Sequence, residues 1–218
     1  MPVLVEDIMT RNVITATPEH SVMDTLKIAR ANRIRHVPIV EGNILKGVVS
    51  DRDLRDVSPS VLASMDLDLL EKTKVKDIMV TNVITVHPLD TVEDAARLLY
   101  ENKIGCLPVV VEGNHLVGIV TDGDILFCFV EMMGVLERGS VIRVNIPDRP
   151  GTLAKVLEII SDHKVNIISI FMFPADEKKK GVREVILRLQ TIDPSGIVKD
   201  IKELGYEIIW PEFWGERK

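Results

Sequence analysis

Two short stretches set a hydroxyl and a carboxylate where an apolar run ends. Gly47-Val48-Val49-Ser50-Asp51-Arg52-Asp53 is echoed by Gly118-Ile119-Val120-Thr121-Asp122-Gly123-Asp124. Each reads as a short strand ending in Ser50 or Thr121, a carboxylate three positions on, and an apolar helix from Leu54 or Ile125. Where a strand feeds a helix, the first backbone N–H groups lack intrahelical partners and the dipole favours an anion. A first-turn carboxylate can accept both hydroxyls of a ribose. The same residues also make a capping box, with Asp53 or Asp124 reaching back to Ser50 or Thr121. A single copy argues for the cap; two copies in matching contexts argue for a ligand site.

The elements that carry these stretches repeat. Val5-Glu6-Asp7-Ile8-Met9 returns as Val75-Lys76-Asp77-Ile78-Met79, and Asn12-Val13-Ile14-Thr15 as Asn82-Val83-Ile84-Thr85. Pro18, Val22, Asp24, Asn32, Ile34 and Pro38 meet Pro88, Val92, Asp94, Asn102, Ile104 and Pro108 at the same offset. One inserted residue later, Glu41-Gly42-Asn43 meets Glu112-Gly113-Asn114. A fixed offset held this long is an internal duplication.

Each copy parses the same way. Val13 to Thr15 is predicted as a short strand, followed by a turn and a helix with Val22, Leu26, Ile28 and Ala29 on one face. Val92, Ala95, Ala96 and Leu99 mark the second helix. Val37–Val40 and Leu45–Val49 form a hairpin through Glu41-Gly42-Asn43, and Leu107–Val111 and Leu116–Val120 repeat it. Strands this apolar are expected to be covered on both faces. About 60 residues bury little surface alone, so the copies should pack sheet against sheet and leave two related clefts.

This pattern resembles a tandem pair of CBS domains, a Bateman module, over about Met1 to Met133. Asp-Ile-Met, Val-Ile-Thr, Ile-x-x-x-Pro-Val/Ile-Val and Gly-Val/Ile-Val-Ser/Thr-x-x-Asp all occur twice and in order. The resemblance implies clefts for an adenosine-containing ligand such as AMP, ATP or S-adenosylmethionine. It makes Asp53 and Asp124 the ribose ligands, puts Ser50 and Thr121 on phosphate or ribose, and sets Thr15 and Thr85 near the base, with Pro38 and Pro108 in the strands beside them. The clefts should be unequal. Arg35-His36, Arg52 and Arg55 mark the first copy, where the second has Gly105-Cys106 and Gly123, and Asp122 stands where the first has Asp51. Phosphate needs cations or free amides, so the cleft with Arg35, His36 and Asp53 is expected to favour a phosphorylated ligand. Met9 to Thr15 and Asp51 to Ser60 further resemble the acetoin utilization protein AcuB group. Val61 to Leu70 reads as a connecting helix or linker.

After Met133 the repeat stops, and Gly134 and Gly139 bracket a charged joint. Val141–Ile146 alternates as a strand, Asp148 to Gly151 turns, and Thr152–Ser161 is a helix with Leu153, Val156, Leu157 and Ile160 on one face. Strands at Val165–Phe173 and Val182–Leu189, a helix from Asp193 to Leu204, and a strand at Tyr206–Trp210 complete βαββαβ. Asp148-Arg149-Pro150-Gly151-Thr152-Leu153 and Val165-Asn166-Ile167 resemble an ACT domain. The resemblance implies amino-acid binding at the first turn, often across a subunit interface, with Asp148, Pro150, Gly151, Thr152 and Leu153 shaping the turn and Asn166 reaching the ligand. The turn also has a purely structural reading. Lys178-Lys179-Lys180 reads as a solvated loop tip, and the tail Trp210-Pro211-Glu212-Phe213-Trp214 packs on its own sheet or on a partner.

The fold is therefore α/β (α+β): CBS domains at 1–70 and 71–133, then a ferredoxin-like ACT domain at 139–218. The net charge of −6 argues against nucleic acid, and no apolar run reaches about 18 residues, so no membrane span is expected. Met1 to Asp7 lacks a secretory pattern, and Cys106 and Cys128 read as buried, reduced thiols, which together point to the cytoplasm. No nucleophile elbow, P-loop or HExxH occurs, the five histidines are scattered, and Asp51/Asp53 and Asp122/Asp124 should diverge, so neither catalysis nor a metal or cofactor is expected. The expected function is a non-catalytic adenine-nucleotide sensor. It would be a homodimer, with a possible amino acid at the ACT domain, a role in acetoin utilization, and a protein partner the sequence does not name. The alternatives are an enzyme of acetoin metabolism and an assembly adaptor with vestigial clefts.

Overall fold

The computed structural model describes residues 3–57, 67–173 and 181–211. The chain divides into two compact units, Met1–Phe127 and Cys128–Lys218.

In the first unit, α1 (Val5–Ile8) leads into α2 (Val22–Asn32) and the hairpin β1 (His36–Glu41) and β2 (Ile44–Ser50), which runs into α3 (Asp51–Asp56). α4 (Leu67–Lys72) and a 3-10 turn at Val75–Asp77 open the second copy. There α5 (Val92–Asn102), β3 (Cys106–Val111) and β4 (His115–Thr121) feed α6 (Asp122–Met132). Short polar residues set the helix limits. Ser21 Oγ accepts from Asp24 N at 3.0 Å and Thr91 Oγ1 from Asp94 N at 3.1 Å. The far ends turn left-handed at Arg33 (φ 54°) and Lys103 (φ 55°).

The Val13–Thr15 strand does not form. The next residue, Ala16, makes a single parallel bridge to Ile39, and Val86 does the same to Val109. β1 and β3 are buried along most of their length, as expected, whereas Lys46 of β2 faces solvent. The hairpins also do not stack sheet on sheet. They lie in one antiparallel sheet, β1-β2-β4-β3, joined edge to edge at Ile44 and His115.

The copies are held by an exchange instead. Val5 N donates to Asp90 O (2.9 Å) and Glu6 N to Pro88 O (3.0 Å), so the first lead-in lies on the second copy's helix start. Reciprocally, Val75 N donates to His20 O (3.0 Å) and Lys76 N to Pro18 O (3.2 Å). Further on, Thr10 and Ile119 exchange backbone hydrogen bonds, as do Val80 and Val48. The exchange explains the two strand glycines. A Cβ on Gly118 would lie 2.5 Å from Met9 Sδ, and one on Gly47 would lie 2.8 Å from both Met79 Sδ and Val80 O. Each Gly leaves room for a methionine of the other copy. Leu70 and Val75 accordingly belong to the first copy's core, with Val22, Leu26, Ile39, Val49 and Leu54.

The second unit is β5 (Ser140–Pro147), α7 (Thr152–Asp162), β6 (Ile167–Met172), β7 (Val182–Leu189), α8 (Ser195–Glu203) and β8 (Glu207–Trp210). Its sheet order is β6-β7-β5-β8, all neighbours antiparallel. Ile142, Val144, Ile146, Val185, Leu187 and Leu189 pack against Val156 and Ile160 of α7 and Ile197, Val198 and Ile201 of α8. Leu153 and Leu157 are only partly buried at its margin. Lys178 to Lys180, Glu212 to Trp214 and residues 58–66, which include much of the predicted connecting segment, lie outside the described residues.

Gly47→Ala is expected to cost about 1–3 kcal/mol, because the added carbon meets a backbone oxygen as well as a side chain. Gly118→Ala should cost less, since only the flexible Met9 side chain obstructs it. Urea denaturation of both variants checks the order.

Candidate functional site

Both motif carboxylates close capping boxes. Asp53 Oδ2 accepts from Ser50 N at 2.8 Å and from Ser50 Oγ at 2.7 Å. Asp124 Oδ2 accepts from Thr121 N at 2.8 Å and from Thr121 Oγ1 at 2.7 Å. All of these bonds fall on Oδ2. Among the described residues none donates to Oδ1 of either aspartate, so each carboxylate caps its helix and keeps one oxygen for another donor.

Beside Asp53 opens a cavity of about 740 Å³. Of the predicted site residues, Arg35, His36, Ser50, Arg52, Asp53, Cys106 and Asp122 line it, whereas Thr15, Pro38, Thr85, Pro108, Thr121 and Asp124 do not. Val48, Asp51, Arg55, Asp56, Val80, Asn82, Val83, Ile84, Lys103, Ile104 and Gly105 complete the wall. The cleft is thus built by both copies. Val80 pairs with Val48 through the exchange and brings Asn82, Val83 and Ile84 with it. Cys106 and Asp122, which the sequence aligns with the second copy's own site, face the first copy's aspartate instead. Thr15 and Thr85 are half-buried, each just before the residue that bridges to β1 or β3, and Pro38 and Pro108 are buried within those strands.

The charges are arranged unevenly. Arg35 Nη2 donates to Asp122 Oδ1 at 2.7 Å, from copy to copy. Arg55 pairs with Asp51 one turn back, Nε to Oδ1 at 3.1 Å, so Asp51 and Asp53 serve different partners and diverge as expected. Arg52 and Lys103 have no carboxylate partner among the described residues. His36 lies against the backbone of Gly105, where a Cβ would come within 2.7 Å of its ring. Burial, followed by the Arg35 charge, lowers the His36 pKa below its ordinary 6.5. Burial, followed by Asp122, pushes the Cys106 thiol up to about 12. Both cysteines are buried, and neither is in a disulfide.

At the turn after β5, Asp148 is gripped by Arg183, Nε to Oδ1 at 3.0 Å and Nη2 to Oδ2 at 3.2 Å. Gly151 begins α7 at φ 83°, with nothing within 4 Å of where its Cβ would stand, and Thr152 is buried behind it. Pro150 is exposed and Leu153 half-buried in the same turn. Asn166 donates to Gln190 Oε1 at 3.1 Å. It is not near the turn. Ile167 pairs with Leu189 and Leu189 with Ser140, whereas the turn follows Pro147 at the other end of β5. Seven strand steps at about 3.3 Å put the two motifs on the order of 23 Å apart.

Among the described residues no group of three or more His, Cys, Asp or Glu could hold a metal, and no helix is long and apolar enough to cross a membrane. The CBS domain family model matches residues 5–60 and 75–131, and the ACT domain model matches residues 140–206. A Vibrio cholerae protein described as an acetoin utilization protein (AcuB) is 35% identical, with a TM-score of 0.54 over 64% of this chain and 99% of its own. The CBS domain pair of MJ0100, solved with 5′-methylthioadenosine and S-adenosyl-L-methionine, is 31% identical, with a TM-score of 0.53 over 60% and 98%. CBSX2 of Arabidopsis thaliana, solved with AMP, is 30% identical, with a TM-score of 0.53 over 62% and 99%.

The lowered His36 pKa fixes a sign. Above 6.5 His36 is neutral folded and unfolded; below it the unfolded chain takes up the proton first. Its contribution to stability should fall as pH drops through 6.5 and level off below its own lower value, and His36→Gln should flatten that part of the curve, read by chemical denaturation across pH. Cys106 should resist Ellman's reagent at mildly alkaline pH in a Cys128→Ser background and react once the protein is unfolded.

Proposed function

We propose that this chain, which belongs to the CBS domain family and carries an ACT domain after its CBS pair, is a non-catalytic regulatory protein that binds an adenosine-containing ligand in the cleft beside Asp53. The observation that carries this reading is the free Oδ1 of Asp53 at the wall of a cleft of about 740 Å³, within the roughly 300–1,000 Å³ usual for small-molecule sites. In this reading Asp53 accepts the ribose hydroxyls. Val48, Val83 and Ile84 offer an apolar slot for the base. Ser50, Arg52 and Lys103 supply donors and charge for a phosphate. AMP in CBSX2 and S-adenosyl-L-methionine in MJ0100 support the ligand class.

Because both copies build the cleft, a ligand would bear on how they are held together, and such coupling acts in both directions. The likeness to AcuB supports a role in acetoin utilization. An amino acid held by both the Asp148 turn and Asn166 would need two copies of the chain, which is the form we propose: a homodimer in the cytoplasm.

Calorimetry and thermal shift with AMP, ATP and S-adenosylmethionine test the nucleotide reading. Binding should raise Tm by mass action, with no turnover of the ligand. Asp53→Asn keeps an oxygen for the cap but puts an amide toward the ribose, and should weaken binding about ten- to a hundred-fold. No heat from any of the three, or unchanged affinity in Asp53→Asn, would overturn it.

A further inference from the structure

The ion pair of Arg35 with Asp122 has no mirror image. The backbone around it is symmetric: Asp51 N donates to Arg35 O at 2.8 Å, and Asp122 N to Gly105 O at 3.2 Å. The side chains are not. Asp51 is engaged by Arg55, whereas the second copy has Leu126 in that place, which leaves Asp122 without a cationic partner on its own helix. Arg35 has Gly105 as its counterpart, so Asp51 has no cation to meet across the copies. Duplication therefore leaves one cross-copy pair where two would be symmetric, and both of its members line the Asp53 cleft.

We infer that Asp122 is the cleft's charge selector: it holds Arg35 until a ligand phosphate takes the guanidinium from it. This rests on the nucleotide reading above and goes further, by naming which residue distinguishes a phosphorylated nucleoside from an unphosphorylated one. The side chains of Arg35 and Asp122 are 67% and 51% exposed, so the pair is weak and readily exchanged. A phosphate dianion brings more charge than one carboxylate and suits the planar guanidinium fork. An uncharged nucleoside offers Arg35 nothing and leaves the pair intact. Releasing Arg35 also releases the second copy's helix start, so the ligand's phosphate and the tie between the copies are in direct competition.

The test compares AMP with adenosine by calorimetry. Asp122→Asn keeps an Oδ1 for Gly123 N, which donates to it at 2.8 Å, so the local fold should stand. It should tighten AMP about five-fold and leave adenosine unchanged. Arg35→Gln should weaken AMP about ten-fold or more, again without effect on adenosine. A merely structural role would move both ligands together, so equal changes, or an AMP-to-adenosine ratio unaltered in either variant, overturn the inference. A crystal structure with AMP should find Arg35 on the phosphate; the pair with Asp122 still closed would overturn it too. If the unaltered protein binds neither ligand, the nucleotide reading fails as well, an outcome distinct from AMP binding with an unchanged ratio.

Discussion

The CBS pair depends on the reciprocal exchange of two lead-in segments. Each Asp-Ile-Met stretch lies on the other copy, and each methionine fits over a strand glycine that has no side chain to refuse it. The edge between the hairpins is slight, one residue pair with a small apolar cluster of Val40, Leu45 and Leu116 beside it. Backbone hydrogen bonds at Val5, Glu6, Val75 and Lys76, with the Thr10–Ile119 and Val48–Val80 bridges, do most of the joining. A copy without its partner would lack both a cover for its strand glycine and an anchor for its first turn. The duplication is thus a physical requirement of each half, in keeping with how little a 60-residue unit buries alone.

The cleft follows from the same constraint. Because Val80 bridges to Val48, the residues after it are carried over the first copy's strand end. The aspartate there caps its helix, and the ligand contact proposed for it need not compete with that task. Capping takes one oxygen, and the main chain that fixes that oxygen also aims the other. A carboxylate held by Ser50 N and Oγ has lost most of its rotamer freedom before any ligand arrives, which lowers the entropy cost of binding. In the proposed reading the cap and the ligand site, opposed as readings of the sequence, are the same preorganised group.

Much of this was legible in the chain. The repeat, both hairpins, both aspartate-led helices and the βαββαβ order follow from periodicity and turn chemistry, with strand and helix ends shifting by a residue or two. Val13–Thr15 misled, because an apolar β-branched run looks like a strand whether or not a partner lies alongside; only Ala16 finds one. The larger miss was topological. Aligning the copies pairs Cys106 with His36 and Asp122 with Asp51, as if each set faced its own site. The exchange turns Gly105, Cys106 and Asp122 toward Asp53, and no pattern within one copy reports which copy its neighbour belongs to. Asn82 and Lys103 were missed for the same reason. The glycines held the available signal: a Gly inside an apolar strand marks close approach by something, here a methionine from elsewhere in the chain.

The ACT sheet poses the same kind of geometric question with the opposite answer. In the CBS pair, residues as far apart in sequence as Thr10 and Ile119 meet because segments cross over. In the second unit, Asp148 and Asn166 are close in sequence but lie toward opposite ends of β5, because α7 carries the chain back along the sheet before β6 begins. Asp148 is already neutralised by the Arg183 fork, which leaves the open space at Gly151 and a first turn of α7 with no side-chain cap there. A ligand that used both motifs would have to lie between two sheets aligned head to tail, so that one copy's turn meets the other's Asn166. The fold that separates the motifs within one chain is the one that would make such a site symmetric in two.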